Sequence, residues 1–255
     1  MFIELMIRKN YQFVLIRAPY EIIGEQAVGE LFPKIIQFKA EGYQKEYGQF
    51  VLPFDSSDFV ATHLLLCEKG PGGVLTPVLG FKSVTLERCD NHRITFPIMN
   101  FFEGEEGRVY AETIRAKLDH YRTQDLRHKI AYNGSFTINP RLRENKVLMK
   151  SLWDITFSLL TNYYIDYGID HVMALCVCKF NVHLKKEQLG WNYIQGPAGP
   201  LPSFVSRVFF EATLMPMELT DVRAKSQESA QKFQDMWRDR ITLDAESFER
   251  IKKAA

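Results

Sequence analysis

Two aspartates three residues apart, Asp55 and Asp58 in "PFDSSDFVATHLLL", stand directly before an apolar run. Two carboxylates held near an amine would bind its ammonium form and accept the proton it must lose before attacking a carbonyl. The same spacing also serves structure, with Asp55 capping a turn and Asp58 beginning a solvated strand edge. Spacing alone leaves both open. A second feature is the glycine-free turn "RLRENKVLMK", where Arg141, Arg143, Lys146 and Lys150 crowd the start of a helix-forming segment. Such a cluster suits a single phosphate or an acidic partner surface. The alternative is the solvated first turn of an ordinary helix.

Other chemistries find no support. The 4 cysteines (Cys67, Cys89, Cys176, Cys178) form no CxxC, and the 6 histidines show no HxxxH or HxH spacing, so no metal site is expected. Cys176 and Cys178 occupy alternate positions of "HVMALCVCKF" and read as small buried hydrophobes. Lysine and arginine total 32 against 31 acidic residues, a balance that argues against a nucleic-acid partner. The N-terminal stretch is broken by Glu4, Arg8, Lys9 and Arg17, and no apolar run is long enough to span a bilayer. With free thiols and no export signal, a soluble cytoplasmic protein is expected.

The elements that would position these residues follow from periodicity and punctuation. Residues 19–48 carry helical apolar spacing with a break expected near Pro33. "ATHLLLCEKG" and "PVLGFKSVTLERC" predict two strands joined by a Gly/Pro turn. A charged insertion of one or two helices is expected over about 103–130, then the strand "AYNGSFTINP" and a long helix closed by Gly168. The near-continuous apolar run "DHVMALCVC" predicts a strand buried on both faces. A short helix, "NVHLKKEQLGW", the final strand "FVSRVFFEATLM" and a charged helical tail complete the chain. The expectation is an α/β (α+β layered) domain over 1–219, with mixed strand directions, and a helical extension over 220–255.

This order, with its local signatures, resembles the GNAT acyltransferase superfamily across residues 20–215. Within it the chain is most similar to the branch of acyl-homoserine-lactone synthases and long-chain N-acyl amino acid synthases. Lactone synthases carry a D-x-x-D motif before the first core strand, as Asp55 and Asp58 do here. "PKIIQFKAEGY" places Lys34, Phe38 and Tyr43 where the family has a basic residue and two aromatics lidding the acceptor pocket. In "VLGFKSVTLERC", Gly80 matches a glycine, but Ser83 stands at the family's arginine and Lys82 one place earlier. An offset of one turns a strand side chain to the opposite face, so Lys82 substitutes only if a bulge at Gly80 re-aims it. In "AYNGSFTINPRLR", Ser135, Ile138, Pro140 and Arg143 fit the central strand and its turn, while Asn133 replaces an acid and Phe136 an arginine. "LGWNYIQGPAGP" resembles a later Gly/Pro loop, where Trp191 walls the acyl channel or simply fills the core.

The resemblance implies a mixed, largely antiparallel central sheet with a splayed parallel strand pair and helices on both faces. It implies direct attack of an amine on an acyl thioester, without a covalent protein intermediate or bound cofactor. The donor's pantetheine arm would lie between the splayed strands, and backbone N–H groups near Ser135–Thr137 would polarise the carbonyl. Asp55, Asp58 and Asn133 become the catalytic candidates, with the acid at 133 missing and the base role falling to the aspartates. Lys34, Phe38, Tyr43, Lys82, Ser83, Ser135, Phe136 and Trp191 become substrate contacts. The glycine-free cationic turn favours the acyl-phosphopantetheine of an acyl carrier protein over acyl-CoA, with Arg141, Arg143, Lys146 and Lys150 receiving it. An amino acid or similar small amine ranks first as acceptor, because the acid and both arginines of the lactone-synthase pattern are absent. A homoserine-lactone (autoinducer) synthase is the alternative within the class. A GNAT-fold module that binds an acyl ligand or a partner without catalysis is the alternative outside it.

Overall fold

The computed structural model describes residues 2–48, 54–102, 104–207 and 209–254. In chain order the elements begin with α1 (Phe2–Asn10), β1 (Tyr11–Arg17), α2 (Pro19–Ile22), α3 (Gln26–Tyr47) and α4 (Ser57–Val60). Then come β2 (Thr62–Lys69), β3 (Leu75–Thr85), α5 (Leu86–Asn91), α6 (Gly104–Thr123), β4 (Ile130–Ile138), α7 (Lys146–Asp166) and β5 (His171–Val177). The next group is α8 (Val182–Glu187), β6 (Asn192–Tyr193), β7 (Gln195–Gly196), β8 (Gly199–Pro200), β9 (Phe204–Ser206) and β10 (Ala212–Thr220). The chain closes with α9 (Val222–Gln231), α10 (Gln234–Arg238), β11 (Ile241–Leu243) and α11 (Ala245–Ala254). Two compact units share it: the first runs to Ser83 and adds Ser135–Asn162 and the chain from Glu228, and the second holds Val84–Gly134 and Tyr163–Gln227.

In the first unit the strand order is β11-β1-β2-β3-β4. β1 and β2 pair antiparallel from Tyr11↔Glu68 to Arg17↔Thr62, and β2 and β3 form the expected hairpin. The two faces of this sheet separate by strand parity. On one face Leu65 and Cys67 of β2 meet Val28, Leu31, Phe32 and Ile35 of α3 in a buried cluster. On the other, Phe136 of β4 lies 6.5 Å from Phe81 of β3 and 5.0 Å from Trp153 of α7. Helices therefore cover both faces. α3 is continuous, and the break expected at Pro33 does not occur. The buried stripe on either side of Pro33 offsets the hydrogen bond that proline cannot donate.

The second unit carries the order β4-β5-β10-β6, with β4 lending its first residues here and its last to the other unit. β4 and β5 are parallel, β5 and β10 antiparallel, so the strand directions are mixed as expected. The parallel ladder runs only from Ile130↔His171 to Tyr132↔Met173, although β4 continues to Ile138 and β5 to Val177. α6 is a single helix within the expected insertion, whose first residue, Glu103, lies outside the described residues. The single strand expected over "FVSRVFFEATLM" is two, β9 and β10, separated by a turn in which Phe210 and Glu211 take positive φ.

The tail also differs from an all-helical expectation. β11 adds a parallel strand to the edge of β1, Val14↔Ile241 to Ile16↔Leu243, and Phe248 of α11 packs on the α3 core. A three-residue strand flanked by charge carries too little periodicity to stand out in sequence. Among the described residues, no helix is long and apolar enough to cross a membrane.

Candidate active site

Four charged side chains of the first unit converge on the α3 face. Asp58 belongs to the one-turn helix α4 and is wholly buried, with its Oδ1 2.5 Å from Lys39 Nζ and its Oδ2 2.7 Å from Lys82 Nζ. The Asp55 backbone N–H donates to the same Oδ2 at 3.0 Å. Asp55 accepts from Lys82 at 3.0 Å through both oxygens and from the Ser57 hydroxyl and backbone N–H at 2.5 and 2.7 Å. The exposures of the two acids decide their chemistry: the Asp58 side chain is 0% accessible and that of Asp55 49%. Burial by itself would raise the Asp58 pKa, but Lys39 and then Lys82 reverse this and hold it far below the usual carboxylate range. Asp58 is thus enclosed between its two cations, whereas the Asp55 carboxylate, bonded to Lys82 and Ser57, stays half exposed.

The two lysines arrive by different routes. Lys82 pairs with His63 in regular register and reaches the cluster on the face it shares with Gly80, without the bulge expected there; the register shift of this hairpin lies further along, between Leu66 and Cys67. Lys39 escaped the sequence reading altogether. It lies in phase with the apolar stripe Val28, Leu31/Phe32, Ile35 and Gly42 of α3, and a lysine on a buried stripe is the signal that would have found it. Burial pushes its pKa below the usual lysine range, against the pull of Asp58. Paired so closely with a carboxylate, it completes a buried Lys–Asp–Lys arrangement whose surplus positive charge Asp55 balances.

His63 was also missed. It is fully buried on β2, with its ring 5.5 Å from that of Phe32. Its Nε2 lies 2.7 Å from the Asp58 backbone oxygen, an acceptor, so Nε2 carries the hydrogen. Nδ1 is then a bare lone pair, with no hydrogen-bond partner among the described residues. Burial first and Lys39 second lower the His63 pKa to about 3, so the ring is neutral at physiological pH.

Tyr43, one turn beyond Lys39, hydrogen-bonds Ser135 of β4. Burial, then Tyr47 and Asp58, raise the Tyr43 pKa well above that of a free phenol. Close approach of α3 to β4 requires the glycine between them. A Cβ on Gly42 would sit 2.4 Å from Thr137 Cγ2.

The remaining candidates lie elsewhere. Lys34 Nζ donates to the Leu75 carbonyl at 3.3 Å, seven residues along β3 from Lys82 and so roughly 23 Å away along the strand. Phe38 is buried against Gly80. Ser83 is buried on the opposite face of β3, and its hydroxyl has no partner among the described residues. Phe136 belongs to the aromatic column with Trp153. In the cationic turn, Arg141 pairs with Glu68 and Arg143 with Glu46 and the Ile138 carbonyl, whereas Lys146 and Lys150 are exposed and make no ion pair among the described residues. Asn133 and Trp191 are buried in the second unit, where Lys186 Nζ lies 3.7 Å from the Trp191 ring centre.

No protein-family model matches the chain, and no curated protein matches it in sequence. Solved structures do match. The AHL synthase LasI aligns with a TM-score of 0.54 at 13% identity, over 87% of this chain and 93% of that one. The CoA-dependent acyl-homoserine lactone synthase BjaI, solved with SAM and isopentyl-CoA, aligns at 0.51 and 12% identity, over 91% and 92% of the two chains. MesI, another CoA-dependent acyl-homoserine lactone synthase, aligns at 0.50 and 14%, over 87% and 94%. At such identities the likeness is one of fold: the chain has the mixed α/β architecture of the acyl-homoserine-lactone synthases, as the sequence resemblance implies.

Proposed function

We propose that the protein is an N-acyltransferase that moves a fatty acyl group from a phosphopantetheine thioester to the amine of an amino acid or similar small molecule. The observation that carries this is the asymmetry of the aspartate pair. Asp58 is locked between Lys39 and Lys82, and Asp55, tied to the same Lys82, turns an open carboxylate to solvent. An ammonium group docking on Asp55 loses its proton there, becomes a nucleophile, and attacks the thioester carbon directly. The division of labour replaces the acid absent at Asn133: Asp55 is the base, and Asp58 holds the lysines that fix it. The shared fold supports acyl transfer: the aligned structures named above are described as AHL or acyl-homoserine lactone synthases, two of them CoA-dependent.

An acyl carrier protein is the donor that the cationic turn favours. Two of its four cations are spent on Glu68 and Glu46. Lys146 and Lys150 lie one turn apart at the start of α7, where the helix dipole disfavours cations and an anion would offset the repulsion. The test incubates purified protein with acyl carrier protein thioesters or acyl-CoA of varied length and a panel of amino acids, following thiol release and product mass. New N-acyl amines support the proposal, and faster turnover with the carrier protein supports that donor. Activity with S-adenosylmethionine as sole acceptor would instead make it a lactone synthase. No product with any pair, and an acyl ligand co-purifying, would make it a binding module.

A further inference from the structure

Lys39, Asp58, Lys82 and Asp55 form a chain of alternating charges, with successive contacts of 2.5, 2.7 and 3.0 Å. The side chains of the first three are 2%, 0% and 3% exposed, and of the four Asp55 alone reaches solvent. A molecule entering here meets a carboxylate first, with the Lys82 ammonium behind it. That order attracts a cation and repels an anion at short range. Lys34, the cation expected beside the acceptor, donates instead to the Leu75 carbonyl, at the other end of β3 from Lys82.

An exposed aromatic ring stands next to this carboxylate. Asp55 and Phe59 are four residues apart across a helical turn, closed where the Asp58 N–H donates to the Asp55 carbonyl at 3.0 Å. At that spacing two side chains share a face, with Cβ atoms about 5–6 Å apart. Phe59 is braced by Phe54 and Phe32, whose ring centres lie 5.0 and 5.8 Å from its own, yet it stays 41% exposed. A carboxylate beside an aromatic face suits an alkylammonium ion: the first takes the charge, and the second takes the cation's field and its hydrocarbon.

We propose that the acceptor is an apolar amine with no carboxylate next to its nitrogen, of the arylalkylamine class, and that Phe59 is the residue that selects its side chain. This rests on the acyl-transfer function proposed above and narrows its acceptor. The ammonium group docks on Asp55, and the apolar substituent packs on the exposed face of Phe59. A free amino acid brings the same ammonium with a carboxylate one carbon away, which the charge order sets against Asp55. Masking that carboxylate as an amide removes the repulsion and keeps the shape.

Three acceptors of matched shape test this with acyl-CoA and acyl carrier protein thioesters: phenethylamine, phenylalanine and phenylalaninamide. The kcat/KM for phenethylamine should exceed that for phenylalanine about tenfold, and phenylalaninamide should recover most of the difference. In about 0.5 M salt the gap should narrow, because half-exposed charges are screened, whereas a steric preference would not move. Phe59→Ala should raise KM for phenethylamine about tenfold and for ethylamine much less. Phenylalanine used as well as phenethylamine, a gap that salt leaves unchanged, or equal KM changes for the two amines in Phe59→Ala would each overturn the assignment. Acylation of amino acids alone would keep the acyl-transfer reading and overturn this one. Wild-type protein inert toward every thioester with every amine and amino acid would overturn the acyl-transfer proposal itself, a separate result read before any variant is made.

Discussion

His63 makes the stability of the first unit sensitive to mild acid. Its folded-state pKa of about 3 lies below the ordinary 6.5, because the ring is buried beside Lys39 and Lys82. Between these values the unfolded chain binds a proton that the folded protein refuses, so stability is full above pH 6.5 and falls as pH drops toward 3. At pH 5 the unfolded histidine is protonated by about 30 to 1, and RT ln 30 is about 2 kcal/mol, against about 0.2 kcal/mol at pH 7. For a chain of this size that loss lowers the melting temperature by about 4–8 °C. The comparison is His63→Phe, which keeps a ring against Phe32 and removes the titration. It leaves the Asp58 carbonyl without its donor, a cost that does not depend on pH. Denaturant unfolding at pH 7, 6 and 5 should show wild type losing about 2 kcal/mol more than the variant across the range. Equal losses would refute the argument, as would a His63 ring resonance titrating near pH 6.5 in the folded protein.

The other expectations concern the charged cluster and the packing around it. Lys39→Met leaves Asp58 buried with one cation instead of two and should cost about 3–5 kcal/mol in denaturant unfolding. Pairing it with Asp58→Leu should restore part of that loss, which a double-mutant cycle would measure. Asp55→Asn and Asp58→Asn should separate the two acids: the first lowers acyl transfer by about 100-fold with the melting temperature nearly unchanged, and the second lowers the melting temperature. Gly42→Ala drives a methyl into Thr137 Cγ2 and should destabilise by about 1–3 kcal/mol. Thr137→Ser, which removes that methyl, should rescue it. Ending the chain after Arg240 removes β11 and the Phe248 contact, uncovering the β1 edge, and should lower the melting temperature and promote self-association visible by light scattering.

Local pattern was enough to predict the β2–β3 hairpin, the β4 strand, the long α7 helix and the near-continuously apolar β5. These follow from periodicity and turn chemistry, which act over a few residues. Pro33 misled because its cost is local and the packing of α3 is not. β11 went unseen for the converse reason: a three-residue strand exists only because β1 offers it an edge.

The chemistry divides in the same way. Residue types in the sequence placed carboxylates at 55 and 58, cations at 82 and 141–150, and a serine at 135. Which aspartate is open and which is buried depends on Lys39, nineteen residues away and marked in the sequence only by its phase on an apolar stripe. Lys82 reaches the pair because its register opposite His63 puts it on the face that α3 covers, and register is a property of two strands together. Arg141 and Arg143 look as available as Lys146 and Lys150 until Glu68 and Glu46, far off in the chain, are brought beside them. A pKa is set by everything within several ångströms, and a chain distributes that neighbourhood over segments that local pattern cannot connect.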